Sequence, residues 1–79
     1  MSNLDKYKTI FSSVFSLPEN IFEKNPTMQD IELWDSVGHI QLIAEIEDAF
    51  NIEITIEEMS ELTSYEKGKE ILAQHHINL

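Results

Sequence analysis

The sequence predicts an all-α fold of four helices, with a long first loop and a short third helix. Apolar residues recur at helical spacing near the start, in the middle and near the end of the chain, and capping signals precede the later segments. The one stretch that alternates like a strand, 51–56, has no second strand to pair with, so it is expected to be an extended connection. With 79 residues the chain is read as one domain, residues 1–79. A chain of this size buries only about 60% of its unfolded surface, which leaves no room for a deep enclosed active site.

In the first segment Leu4, Tyr7, Ile10, Phe11, Val14 and Phe15 share one helical face, with Ser2 or Asn3 as the cap. The helix is expected to stop near Ser16, because Pro18 biases Leu17 away from helical backbone angles. From Leu17 to Trp34, prolines and asparagines interrupt Ile21, Phe22, Met28, Ile31 and Leu33, which pin a long connection to the core with room for one short helical turn. Connections this long in small domains tend to be functional.

Ser36 to Phe50 carries two apolar stripes. Leu42, Ile43, Ile46, Ala49 and Phe50 fall within about 120° of arc and are expected to face the core. Val37, Ile40 and Ala44 cluster within roughly 60° on another side, flanked by Glu45, Glu47 and Asp48, and are expected to be exposed as an apolar patch with a polar rim. Thr55 with Glu58 forms a capping box and Ile54 with Met59 a hydrophobic staple, so a short helix is expected from Ile56 to about Glu61. Thr63 and Glu66 repeat the box before a last helix that carries Tyr65, Ile71 and Leu72 inward. Gly68 costs that helix roughly 1 kcal/mol relative to alanine.

The chain holds 15 acidic residues against 5 lysines and arginines, a formal charge of −10, and 25–66 contains no Lys or Arg. Such a surface repels nucleic acid and anionic membranes and steers basic protein patches toward it. Cysteine is absent, which excludes disulfides, thiolate metal sites and a cysteine nucleophile. No apolar run is longer than that of Leu42-Ile43-Ala44, and the start lacks a basic flank followed by an apolar core, so membrane insertion is not expected and the chain is read as cytoplasmic.

Candidate chemistry centres on residues 34–39. Asp35, Ser36 and His39 have the residue types of a nucleophilic triad, but three groups crowded at one helix start lack the geometry a triad needs, so the chain is not expected to be an enzyme. Gly68-Lys69 lacks the rest of a phosphate loop, and the acidic stretch lacks the alternation of a calcium loop. His75 and His76 are expected in a solvated tail, and no metal site is expected. With Asp35 as N-cap, Ser36 is the first helical residue, beside unsatisfied N–H groups and the positive end of the helix dipole. A phosphate ester is stabilised there, although serine in that position also simply favours helix initiation.

Trp34-Asp35-Ser36-Val37-Gly38-His39, followed by Ile40-Gln41-Leu42-Ile43 and Ile46-Glu47-Asp48-Ala49-Phe50, resembles the phosphopantetheine attachment region of the acyl carrier protein family. The resemblance continues through Ile52-Glu53-Ile54 and Leu62-Thr63-Ser64-Tyr65-Glu66 and covers essentially the whole chain. It implies a monomeric four-helix acyl-carrier-like bundle in which Ser36, next to Asp35, carries 4'-phosphopantetheine transferred from coenzyme A by a phosphopantetheinyl transferase. It further implies acyl cargo held as a thioester, as in fatty acid biosynthesis or a specialised pathway. Val37, Ile40, Ala44, Glu45, Glu47 and Asp48 would then meet acyl-loading and acyl-processing enzymes through basic docking patches. Gly38 and Gln41 stand where fatty-acid carriers commonly place acidic residues, and the Trp-Asp-Ser-x-Gly-His form also resembles discrete aminoacyl or peptidyl carriers. An acidic helical interaction module with unmodified Ser36 is the alternative from outside the family.

Overall fold

The computed structural model describes residues 2–79, and these form four α-helices and one short 3₁₀ helix. The first helix, α1, spans Asn3–Phe15. Ser2 is its cap, because the Ser2 hydroxyl accepts the Asp5 N–H at 3.1 Å. Ser16 ends it in the left-handed region (φ 54°), with its N–H turned back to the Ser12 carbonyl. The long connection contains a 3₁₀ helix, Glu19–Lys24, whose Phe22 is buried. Then follow α2 (Ser36–Phe50), α3 (Ile56–Glu61) and α4 (Tyr65–Gln74), and the segment between α2 and α3 forms no strand. The all-α expectation therefore holds for the described residues. None of their helices is long and apolar enough to cross a membrane.

Aromatic side chains dominate the core. Phe11 is fully buried and meets Tyr7, Phe15, Phe22, Trp34 and Tyr65 edge-on, with ring centroids 4.9–6.4 Å apart. Edge-to-face contact of this kind adds to the burial of apolar area. The Tyr7 hydroxyl donates to the Tyr65 carbonyl at 2.6 Å, which ties α1 to the first turn of α4. Burial, reinforced by Tyr65 and Glu66, pushes the Tyr7 phenol far above its ordinary value, so it stays a donor. A Cβ at Gly68 would collide with the Tyr7 hydroxyl, so the glycine that weakens α4 in isolation is what lets α1 approach it. The long connection is pinned beside α4 as well: Met28 N–H donates to the Thr63 carbonyl at 2.8 Å and Tyr65 N–H to the Pro26 carbonyl at 2.9 Å.

Five local expectations change. Ala49 is exposed, at the edge of the core stripe, while Leu42, Ile43 and Ile46 are buried and Phe50 is half-buried. The cap of α4 is Ser64, whose hydroxyl accepts the Lys67 N–H at 3.0 Å; the neighbouring Thr63 hydroxyl turns instead to the Glu61 carbonyl. Backbone pairing of Thr27 with Ser64 fixes the chain direction there and decides between the adjacent hydroxyls. His75 is no solvated tail residue: its Nε2 lies 2.9 and 3.0 Å from the two carboxylate oxygens of Glu58 on α3, whereas His76 is exposed. Leu33 and Glu47 also depart from expectation and belong to the site.

Candidate functional site

The turn that opens α2 is built from both sides. Asp35 is extended, its Oδ1 accepts the Gly38 N–H at 2.9 Å and its carbonyl accepts the His39 N–H at 2.8 Å. Ser36 is the exposed first residue of the helix, so the N–H groups of Ser36 and Val37 point out of its positive end without intrahelical acceptors. Gly38 is buried, and a Cβ there would strike the Leu33 carbonyl oxygen. The preceding loop thus lies directly against the helix start, and no side chain, acidic or otherwise, fits at position 38.

Trp34 locks this approach. Its indole is buried and stacks on Phe15 at 5.3 Å, and its Nε1–H donates to His39 Nδ1 at 2.9 Å. An indole N–H can only donate, so Nδ1 is an acceptor and the imidazole proton sits on Nε2. From there it is donated to the Met59 carbonyl of α3 at 2.8 Å. Both ring nitrogens of His39 are engaged away from Ser36, and the Asp35 carboxylate caps Gly38. The structure therefore does not assemble Asp35, Ser36 and His39 into a triad, and Ser36 has no base among them.

The second stripe of α2 is exposed as expected. Val37 and Ile40 are 65% and 64% exposed, and Ala44 lies open beside them. Glu45 and Asp48 are exposed on its rim. Glu47 differs: it is half-buried, and its Oε2 accepts the Ile54 N–H at 2.9 Å. This carboxylate anchors the extended segment after α2 and is not simply a rim charge. Leu33, expected to pin the long connection to the core, is instead 52% exposed, and Ile56 is 81% exposed. The alternation of Ile52, Ile54 and Ile56 suggested a common face, but α3 begins at Ile56, and the helical turn swings that side chain outward while Ile54 stays buried.

The arrangement offers an exposed primary hydroxyl at a rigid helix start, near unsatisfied N–H groups, beside an apolar patch edged with carboxylates. Comparison of the chain with protein-family models, with curated proteins and with solved structures finds no match.

Proposed function

We propose that this chain is a carrier whose Ser36 is esterified with 4'-phosphopantetheine. The observation that carries the reading is the position of Ser36: exposed, first in α2, held by the Asp35 cap, and set within the Trp34–His39 signature. In the loading step a phosphopantetheinyl transferase joins Ser36 Oγ to the phosphorus of coenzyme A that bears the pantetheine, the pyrophosphate bond breaks, and adenosine bisphosphate leaves. The donor set suits a phosphodiester, since the Ser36 and Val37 N–H groups and the helix dipole favour negative charge there. Once attached, the group supplies a thiol that holds an acyl or aminoacyl cargo as a thioester, which a chain without cysteine cannot provide.

The remaining residues serve encounter and docking. Val37, Ile40 and Ala44 offer apolar contact next to the modified serine, and Glu45 and Asp48 favour partners with basic surfaces. The chain itself performs no bond chemistry in this reading.

Incubation with coenzyme A and a phosphopantetheinyl transferase, followed by mass spectrometry, tests the proposal. The expected result is a gain of one phosphopantetheinyl group that is lost in Ser36→Ala with helical circular dichroism retained. No gain in the wild type, or a gain that persists in Ser36→Ala, overturns it. A wild type that stays unmodified yet binds a basic partner through α2 favours the interaction-module alternative.

A further inference from the structure

α3 has little apolar adhesion of its own. No residue of Ile56–Glu61 is buried, although the flanking Ile54 and Leu62 are. Between those anchors half-buried Met59 packs against the core, and the polar side-chain ties to other elements are two histidines. His39 of α2 donates to the Met59 carbonyl at 2.8 Å, and His75 after α4 meets the Glu58 carboxylate at 2.9 Å. The first of these ties begins in the same helical turn as Ser36. Its far nitrogen is fixed from the loop side by Trp34, itself immobilised by burial and by stacking on Phe15. One imidazole thus joins three elements: the loop that carries Leu33, the first turns of α2 that carry Val37 and Ile40, and the helix that carries Ile56. All four apolar side chains are more than half exposed.

We infer that His39 is a positioning residue: it holds α3 against the opening turn of α2, so that a partner reaching Ser36 meets Leu33, Val37, Ile40 and Ile56 as one preset surface. The inference rests on the reading of Ser36 as a modification site, and it names the phosphopantetheinyl transferase as the partner that reads the surface. Preorganisation of this kind lowers the ordering cost of association and leaves the chemistry of transfer untouched. It therefore belongs in KM and not in kcat.

The two hydrogen bonds of His39 can be separated by substitution. In His39→Gln the longer amide places a donor near the position of Nε2 and keeps a bond to the Met59 carbonyl. In His39→Asn the shorter amide places its oxygen near the position of Nδ1 and keeps an acceptor for Trp34, with nothing for Met59. If α3 is what matters, His39→Ala and His39→Asn raise the transferase KM for this protein about fivefold at constant kcat, the factor expected from one net hydrogen bond. They speed amide hydrogen exchange across Ile56–Glu61 to a similar degree, while His39→Gln stays close to the wild type in both. Nitrogen-15 spectra of the wild type should show His39 with its proton on Nε2.

A proton on Nδ1, or Asn rescuing where Gln does not, overturns the inference; so does an unchanged KM across a series whose α3 exchange rates differ. Should His39→Ala fail to fold, the Gln and Asn pair still decides. If the wild type takes no phosphopantetheine at all, the proposed function fails instead. The ring tautomer and the exchange order of Gln against Asn then still report whether His39 holds α3.

Discussion

α1 turns Tyr7, Ile10, Phe11 and Phe15 into the core, whereas α3 fully buries none of its residues and depends on its caps, its flanking anchors, half-buried Met59 and two imidazoles. The first is held by area removed from water and by interlocking rings, interactions that tolerate little displacement. The second is held by a capping box, with the Thr55 hydroxyl accepting the Glu58 N–H at 3.1 Å and the Glu58 carboxylate accepting the Thr55 N–H at 3.0 Å, and by directional polar contacts at its side. The difference separates the part of the molecule that sets stability from the part tied to the first turns of α2 through His39. Elements with few buried apolar contacts are the ones that open first.

The largest effect is expected from breaking the apolar side of this contrast. Phe11 is the ring on which five others converge, so Phe11→Ala leaves a void that the neighbouring rings cannot fill. Loss of about 3–5 kcal/mol is expected. Small domains hold only about 5–15 kcal/mol in total. Urea titration followed by circular dichroism should show the cooperative transition moved to very low urea or lost. A change under about 1 kcal/mol would mean the core repacks freely around α1.

A smaller effect is expected on the polar side, and it depends on pH. The Thr55 backbone N–H, and after it His75, lower the Glu58 carboxyl below its ordinary value of 4.5. A carboxyl whose folded value is depressed contributes stability that is complete above the unfolded value and is lost as pH falls through the folded one. Glu58 therefore supports the fold above about pH 4.5 and ceases to do so in more acidic solution. Glu58→Gln keeps a capping acceptor for Thr55 but removes the charge. The variant should be less stable than the wild type near neutrality, and the difference should close on acidification. Parallel stability curves for the two proteins would show that the Glu58 charge contributes nothing.

The contrast also marks what the sequence could reveal. α2 and α3 occupy the expected residues because their signals are local: Asp35 and Thr55 as caps, and apolar residues at helical spacing after Asp35. The buried and exposed stripes of α2 were legible for the same reason, except at Ala49, which is exposed in the last turn of the helix. The contacts that organise the site were not legible, because they join distant positions. His39 meets Met59 and His75 meets Glu58 only once α3 has docked, and no periodicity announces an imidazole bond to a carbonyl twenty residues on. Gly38 could be read only as a departure from an acidic pattern, since its reason, the Leu33 carbonyl pressed against the helix, exists only in three dimensions. Glu47 was assigned to the rim by its sequence neighbours, while the fold gives it a backbone amide to hold. Charge-reversal tests of docking consequently belong on Glu45 and Asp48, where the carboxylates are exposed and the fold does not depend on them.

The smallest effect on stability, and the sharpest test of the exposed face, is expected from Ile40→Ala. Ile40 shares α2 with Leu42, Ile43 and Ile46, yet it is 64% exposed where they are buried. Truncating it should leave the helical circular dichroism unchanged and shift the unfolding free energy by no more than about 0.5 kcal/mol. Binding behaves differently if the stripe is a docking surface: an apolar side chain at the centre of an interface costs about 1 kcal/mol or more when removed, and the cost appears mainly in dissociation. Asp48→Lys, on the rim, should instead slow association and weaken its salt dependence. Measured against the transferase in stopped-flow or surface-capture kinetics, the two variants should therefore fail in different rate constants while both remain folded. If Ile40→Ala lowers stability by as much as a core truncation and leaves the affinity of the folded fraction unchanged, Ile40 is part of the core and the exposed stripe is not a docking surface.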